Sequence, residues 1–198
     1  GAVPPPAILA MHAERGTFHV KTGLLSADRS YFAAKLNANF PENGRRHGLP
    51  TIQGVVILSD ATNGAPLAIM DSISITALRT AAASAVAAKY LARKGWKTLA
   101  LCGCGGQALA QLQALLALGK PERVLVYDAD ADRASAFAAT AIRLTGTAVS
   151  ASGDVGRTVA EADVLVTCTT ARKYFVTRGM VRPGTFIAAV GADSENKQ

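Results

Sequence analysis

The sequence predicts an α/β fold: a Rossmann-type parallel sheet domain preceded by an antiparallel α+β domain. Three observations carry that expectation. From Trp96 onward, short apolar runs alternate with helix-compatible ones, the order that parallel strands with crossover helices produce. The run Thr98-Leu-Ala-Leu-Cys-Gly-Cys-Gly-Gly-Gln-Ala108 sets a G-x-G-x-x-[GA] turn between an apolar strand and a helix, and the next apolar strand ends on Asp128. Upstream, residues 1 to about 71 read as strands joined by polar turns, with period-two alternation over 17–21 and 30–37.

Taken in order, Pro4-Pro5-Pro6 is an extended surface segment. Residues 51–58 form a β-rich run, Asp60-Ala-Thr-Asn-Gly64 supplies turn residues, and 66–70 return as the second strand of an antiparallel hairpin. A helix follows, with Ser74 or Thr76 as its cap, an alanine-rich body over 77–93 and Gly95 as its stop. Its alanine content implies that another backbone or a ligand packs closely on it. Strands are then expected at 98–102, 123–127, 148–151, 164–168 and 185–190, with helices at 107–118, 132–144 and 155–161. The change of pattern divides the chain into residues 1–95 and 96–198.

Of the 198 residues, 49% are hydrophobic, ample for a packed core. No apolar run reaches the roughly 18 residues a bilayer span needs, and the amino terminus shows no basic-then-apolar segment with a cleavage site. A cytoplasmic protein with no membrane partner is expected. The net charge of +7 arises from 21 basic against 14 acidic residues. These basic residues are scattered, the densest groups being Arg45-Arg46-His47 and Arg172-Lys173. That spacing suits an anionic small ligand or a solvated face rather than a nucleic-acid groove. Cys102, Cys104 and Cys168 fall on or beside strand ends and read as reduced packing residues. Neither Cys102-x-Cys104 nor the three histidines has metal-ligand spacing, so no metal site is expected.

The glycine turn points to a nicotinamide dinucleotide. Gly103 permits the tight turn, Gly105 lets backbone approach the pyrophosphate, and Ala108 keeps helix and sheet close. The N–H groups from Gly105 to Gln107 then face the phosphates at a helix N-terminus. Asp128 accepts hydrogen bonds from ribose hydroxyls and repels a 2′-phosphate, which favours NAD over NADP, although Arg133 lies close enough in sequence to complicate the choice.

Other polar groups sit where structure alone explains them poorly. Lys35 lies in an apolar strand, Thr51 begins the next strand, and Arg79 stands among alanines, where burial without an anionic partner would be costly. Arg79 suits bidentate grip of a carboxylate and Lys35 a point-charge contact; a salt bridge or a solvent-facing side chain is the plain alternative for each. The run Thr185-Phe-Ile-Ala-Ala-Val-Gly-Ala-Asp193 delivers an acid just past the carboxyl end of a strand, where ligands bind in open α/β sheets. There Asp193 would exchange a proton with a substrate nitrogen, or would merely cap a helix.

Several ordered motifs (Lys35-Leu-Asn-Ala-Asn-Phe-Pro, Gly48-Leu-Pro-Thr-Ile-Gln-Gly-Val-Val, Pro66-Leu-Ala-Ile-Met-Asp-Ser, Ile75-Thr-Ala-Leu-Arg-Thr-Ala-Ala, Gly103-Cys-Gly-Gly-Gln-Ala and Ala189-Val-Gly-Ala-Asp193) together resemble the ornithine cyclodeaminase and mu-crystallin family. The resemblance runs from about residue 15 to the end. It implies a homodimer joined through antiparallel substrate-binding domains, here residues 1–95, and a Rossmann domain for NAD(H) or NADP(H), here 96–198. By resemblance, Lys35 and Arg79 match substrate-carboxylate binders, and Thr51 matches a cofactor or substrate contact. Gly106, Gln107, Asp128, Thr169, Val190 and Gly191 on the last strand, and Lys197 match cofactor contacts, while Asp193 matches the acid that handles the substrate amine. The implied activity is NAD(P)-dependent chemistry at the carbon–nitrogen bond of an α-amino or cyclic imino acid: a cyclodeaminase, an imino-acid reductase or an alanine-dehydrogenase-like enzyme. A non-catalytic crystallin-like binder or an inactive fragment are the alternatives. Two departures stand out. Members carry an arginine near the start of the first substrate-domain strand; Val3-Pro4-Pro5-Pro6 has none beside it, so Arg15 or Lys21 substitutes or the contact is lost. Members also continue beyond the position of Gln198, so an incomplete chain is expected.

Overall fold

The computed structural model describes residues 5–26 and 28–192. Compactness divides the chain between Thr76 and Ala77, whereas the change of sequence pattern falls near residue 95.

In the first unit, β1 (Ala7–Ala13), β2 (Gly16–Ser26), β3 (Ser30–Asn39), β4 (Ile52–Asp60) and β5 (Pro66–Asp71) form one antiparallel sheet whose spatial order is its chain order. Pro66 opens its strand on the sheet edge, where a missing N–H is tolerated. The expected turn is held by Asp60, whose Oδ1 accepts from Thr62 N at 2.8 Å, while Gly64 takes a φ of 76°. Register sorts the side chains. Leu9, Met11, Phe18, Leu36, Val55, Ile57 and Ile69 share one face, and Ile8, His19, Lys21, Lys35, Asn37, Val56 and Met70 share the other. The first set is largely exposed, Met11 by 61% and Ile69 by 73%: among the described residues of this unit no element covers that face.

A short helix with no counterpart in the sequence reading, α1 (Asn43–His47), lies between β3 and β4 and ends at Gly48 in the left-handed conformation. Glu42 pairs with both Arg45 (2.7 Å) and Arg46 (2.8 Å). This basic group is therefore a solvated face, neutralised only in part by the one carboxylate.

The alanine-rich helix α2 (Ser72–Leu91) begins earlier than expected. Its cap is Asp71, not Ser74 or Thr76: Asp71 Oδ1 accepts from Ile73 N at 2.6 Å and Ser74 N at 3.1 Å. A carboxylate at the end of β5 reaches the open N–H groups first. Ala81, Ser84 and Ala88 form its buried stripe.

The second unit carries β6 (Thr98–Cys102), α3 (Ala108–Leu116), β7 (Arg123–Tyr127), α4 (Ala131–Thr145), β8 (Val149–Ala151), α5 (Val155–Glu161), β9 (Val164–Thr167) and β10 (Phe186–Ala188). All five strands are parallel in the order β10-β9-β6-β7-β8, so the strand order reverses between β6 and β9. The core is built from Leu99, Leu101, Leu112, Leu115, Val124, Val126, Val164 and Val166, all nearly or fully inaccessible. At the amino-terminal edge Asp163, 5% exposed, accepts from Lys97 N (2.7 Å), Thr98 N (2.9 Å) and Arg182 Nη2 (3.0 Å), and from Arg93. Arg182 also donates to the carbonyls of Glu161 and Ala162, at 2.8 and 3.2 Å. A buried carboxylate is held by two half-exposed guanidinium groups and the N–H groups of Lys97 and Thr98 where β6 begins.

Candidate functional site

At the carboxyl ends of β6, β7 and β9, a cleft of about 350 Å³ is lined by Gly103, Tyr127, Asp128, Arg133, Thr169 and Lys173, with Phe175 completing it. It adjoins the point where strand order reverses, the position open α/β sheets use for ligands.

The glycines of the turn do different jobs. Gly103 has a φ of 99°, and a Cβ there would lie 2.9 Å from the backbone of Cys168. This glycine is required by the protein itself. Gly105 and Gly106 are exposed, and a Cβ at either would meet nothing within 4 Å. Gln107 flanks the start of α3 without a side-chain cap, and among the described residues no acceptor takes the N–H groups of Gly105, Gly106 or Gln107. Open donors at a helix start, with space above them, fit a pyrophosphate.

Asp128 is already engaged. Its Oδ2 accepts from Cys104 N at 2.8 Å and its Oδ1 from Asp130 N at 3.0 Å. Each oxygen keeps further acceptor capacity, and the residue lines the cleft. Arg133 lies 3.8 Å from Asp130, which partly neutralises it. Thr169 sits where the last strand closes in: Gly191 N donates to Thr167 O at 2.8 Å, and a Cβ on Gly191 would lie 2.4 Å from Thr169 O. Val190, half-buried, precedes that contact. These constraints bring Gly103, Asp128, Thr169 and Gly191 together at one end of the sheet.

The three thiols surround the turn without being poised to react. Cys168 Sγ donates to Gly103 O at 3.0 Å. Burial pushes Cys102, Cys104 and Cys168 each up to about 12, and all three are free. Among the described residues no cluster of three or more His, Cys, Asp or Glu could hold a metal ion.

In the first unit, Lys35 lies half-buried on β3, with Nζ donating to Thr76 Oγ1 at 3.4 Å. Thr51 is exposed just before β4, where its carbonyl accepts from Phe40 N at 2.8 Å. Arg79 is exposed on α2, and no acid among the described residues is within ion-pair reach of it. Asp193 and Lys197 lie outside the described residues. The sequence reading missed Thr170, Lys173 and Phe175 as cleft-lining residues; their signal is position, directly after the carboxyl end of β9.

The family model for the ornithine cyclodeaminase/mu-crystallin family matches residues 1–198. The chain belongs to this family. It is 41% identical over 151 residues to the alanine dehydrogenase of Archaeoglobus fulgidus, covering 76% of this chain and 46% of that protein. Among solved structures, an archaeal alanine dehydrogenase dimer with bound NAD superposes with a TM-score of 0.89 at 36% identity, over 100% of this chain and 59% of that one. The Δ1-pyrroline-2-carboxylate reductase of Thermococcus litoralis, in complex with NADH and L-proline, gives 0.86 at 36% identity, over 93% and 57%. The chain spans about half the length of the relatives it matches. Among the described residues no helix is long and apolar enough to cross a membrane.

Proposed function

We propose that the protein is an NAD-dependent enzyme that moves a hydride at the α-carbon of a small amino or imino acid, in the cytoplasm and as a homodimer. The observation that carries this reading is the glycine turn, with its open N–H donors and unfilled Gly105 and Gly106 beside the cleft of Asp128 and Thr169. Family membership and the NAD-bound relatives support it.

When bound, the nicotinamide would supply the hydride acceptor and donor. This chain's residues do the rest. The N–H groups of Gly105, Gly106 and Gln107 hold the pyrophosphate, Gly103 keeps the turn tight, and Asp128 accepts from the ribose through its remaining lone pairs. Thr51, Thr169, Val190, Gly191 and Lys197 are assigned the remaining cofactor contacts from the family resemblance. Lys35 and Arg79 bind the substrate carboxylate, the arginine through its planar fork. Asp193 accepts the ammonium proton, since a Cα–H gives up hydride only beside a neutral amine, and returns it in the reverse direction. Residues 1–95 then act as the substrate and dimerisation domain and 96–198 as the cofactor domain. The exposed apolar sheet face of Leu9, Met11, Phe18, Val55 and Ile69 is the surface assigned to the dimer.

Turnover of L-alanine, L-proline, L-ornithine and Δ1-pyrroline-2-carboxylate by the full-length protein, followed through NADH absorbance, tests the proposal. Oxidation or reduction of any of them supports it. NADH binding without turnover of any would reduce the protein to a cofactor binder.

A further inference from the structure

Gln111 stands apart from the rest of the second unit's interior. It is fully inaccessible on α3, in the buried stripe of Ala108, Leu112 and Leu115, yet among the described residues neither its Oε1 nor its Nε2 has a hydrogen-bond partner. Other buried polar side chains of this unit are satisfied: Ser84 donates to Thr80 O at 3.3 Å, Thr158 to Asp154 O at 2.7 Å, and Thr98 accepts from Arg123 at 3.4 Å. An apolar side chain of the same length would fill the space of Gln111 with no polar atom to satisfy. A buried amide with both ends unmet calls for a reason.

One turn nearer the glycine loop stands Gln107, whose carbonyl accepts the Gln111 N–H at 3.0 Å. Gln107 takes right-handed helical dihedrals, so residues 107 and 111 are neighbours four apart on one helix face, where long polar side chains pair. Gln107 Oε1 is likewise sealed from solvent with no partner. A buried donor without an acceptor therefore lies one turn from a buried acceptor without a donor. The Nε2 of Gln107 is not among the sealed atoms, and this residue borders the turn whose N–H groups are open.

We propose that Gln111 is a positioning residue for the dinucleotide. When the cofactor is bound, Gln111 Nε2 donates to Gln107 Oε1, and the amide so fixed presents Gln107 Nε2 as a further donor to the pyrophosphate. Side-chain torsions alone close this pair, because the backbone already sets the two residues one turn apart. The proposal rests on the assignment of the glycine turn to a pyrophosphate made above.

Fluorescence titration of the full-length protein with NADH, in a double-mutant cycle of Gln107→Ala and Gln111→Met, tests it. Methionine keeps the length of the side chain and has no donor. Gln111→Met should weaken NADH binding by about three- to tenfold, the range of one neutral hydrogen bond, while the melting temperature of the cofactor-free protein holds or rises because an unmet amide is gone. In the Gln107→Ala background the same substitution should change NADH affinity by less than about twofold, since nothing is left to position. An equal loss in both backgrounds, or no loss in either, would overturn the proposal. Should Gln111→Met fail to fold, nitrogen-15 spectra of the unaltered protein decide: NADH should move one Gln111 side-chain amide proton downfield, and an unmoved proton overturns the pairing. NADH binding that shows the coupling without turnover of any amino or imino acid removes the catalytic reading and leaves the pair. Turnover without the coupling removes the pair and leaves the catalytic reading, and no NADH binding by the unaltered protein removes both.

Discussion

Asp128 Oδ2 accepts the backbone N–H of Cys104 at 2.8 Å, so the acid at the end of β7 is a brace for the glycine turn as well as a candidate ribose ligand. The two roles separate by substitution. Asp128→Asn keeps an acceptor for the turn but removes the charge that repels a 2′-phosphate; NADPH affinity should rise relative to NADH. Asp128→Ala releases the turn and should weaken both cofactors, by about 1.5–3 kcal/mol for the lost charged hydrogen bond. Fluorescence titration with each cofactor reads both effects. Equal responses of the two variants would remove the bracing role.

Arg79 is exposed and has no acid within ion-pair reach among the described residues; the proposed function assigns it to the substrate carboxylate. Arg79→Lys keeps the charge and loses the planar fork, so KM for the amino acid should rise while NADH affinity holds. Steady-state kinetics in the full-length protein are the check, and unchanged kinetics would return Arg79 to an ordinary surface role.

For Asp193 the expected loss is in kcat. Asp193→Asn preserves shape and removes the base, and should lower kcat by about 10²–10⁴-fold, the usual range for general acid–base groups. Near-normal turnover would make Asp193 a helix cap.

Alkaline stability should follow the three thiols. Their folded-state values near 12 stand above the ordinary value of 9.0, so the unfolded chain loses these protons first. Each thiol therefore contributes nothing to the pH dependence well below 9 and draws stability down as pH climbs from 9 toward 12. Cys102→Ala should make the fall of melting temperature with alkaline pH shallower. At neutral pH iodoacetamide should label the thiols only once the chain is unfolded.

Removal of the Asp163 carboxylate should unfold the second unit under mild conditions. Asp163→Ala strands the N–H groups of Lys97 and Thr98 and two arginines, a loss of about 3–5 kcal/mol by analogy with broken buried pairs. Denaturant titration measures it, and a loss within the range of an ordinary surface change would contradict the geometry.

The parallel sheet was legible because its residues obey one rule each: β6 and β7 were expected at 98–102 and 123–127 and stand there, since an apolar run between a polar turn and a glycine has one way to be buried. The start of α2 was misplaced because Asp71 serves both as the last residue of β5 and as the cap, and a strand-ending acid carries no helix signal of its own. The bonds of Asp128 to Cys104 and Asp130 were not legible, for they depend on a turn geometry invisible in spacing. Asp163 was missed altogether: its partners Arg93 and Arg182 are 70 and 19 residues away, and nothing local announces a buried charge whose donors arrive from two distant segments.

Gly105 and Gly106 leave the left-handed region unused and leave empty space where a side chain would stand. Alanine at either position would therefore suit the isolated chain better, by about 0.4–1 kcal/mol through the entropy of the unfolded state. On the proposed function, what favours glycine there lies outside the polypeptide. A screen that ranked variants by heat resistance alone would enrich for Gly105→Ala and Gly106→Ala, and on the proposed reading would select proteins that had closed the space kept for a dinucleotide.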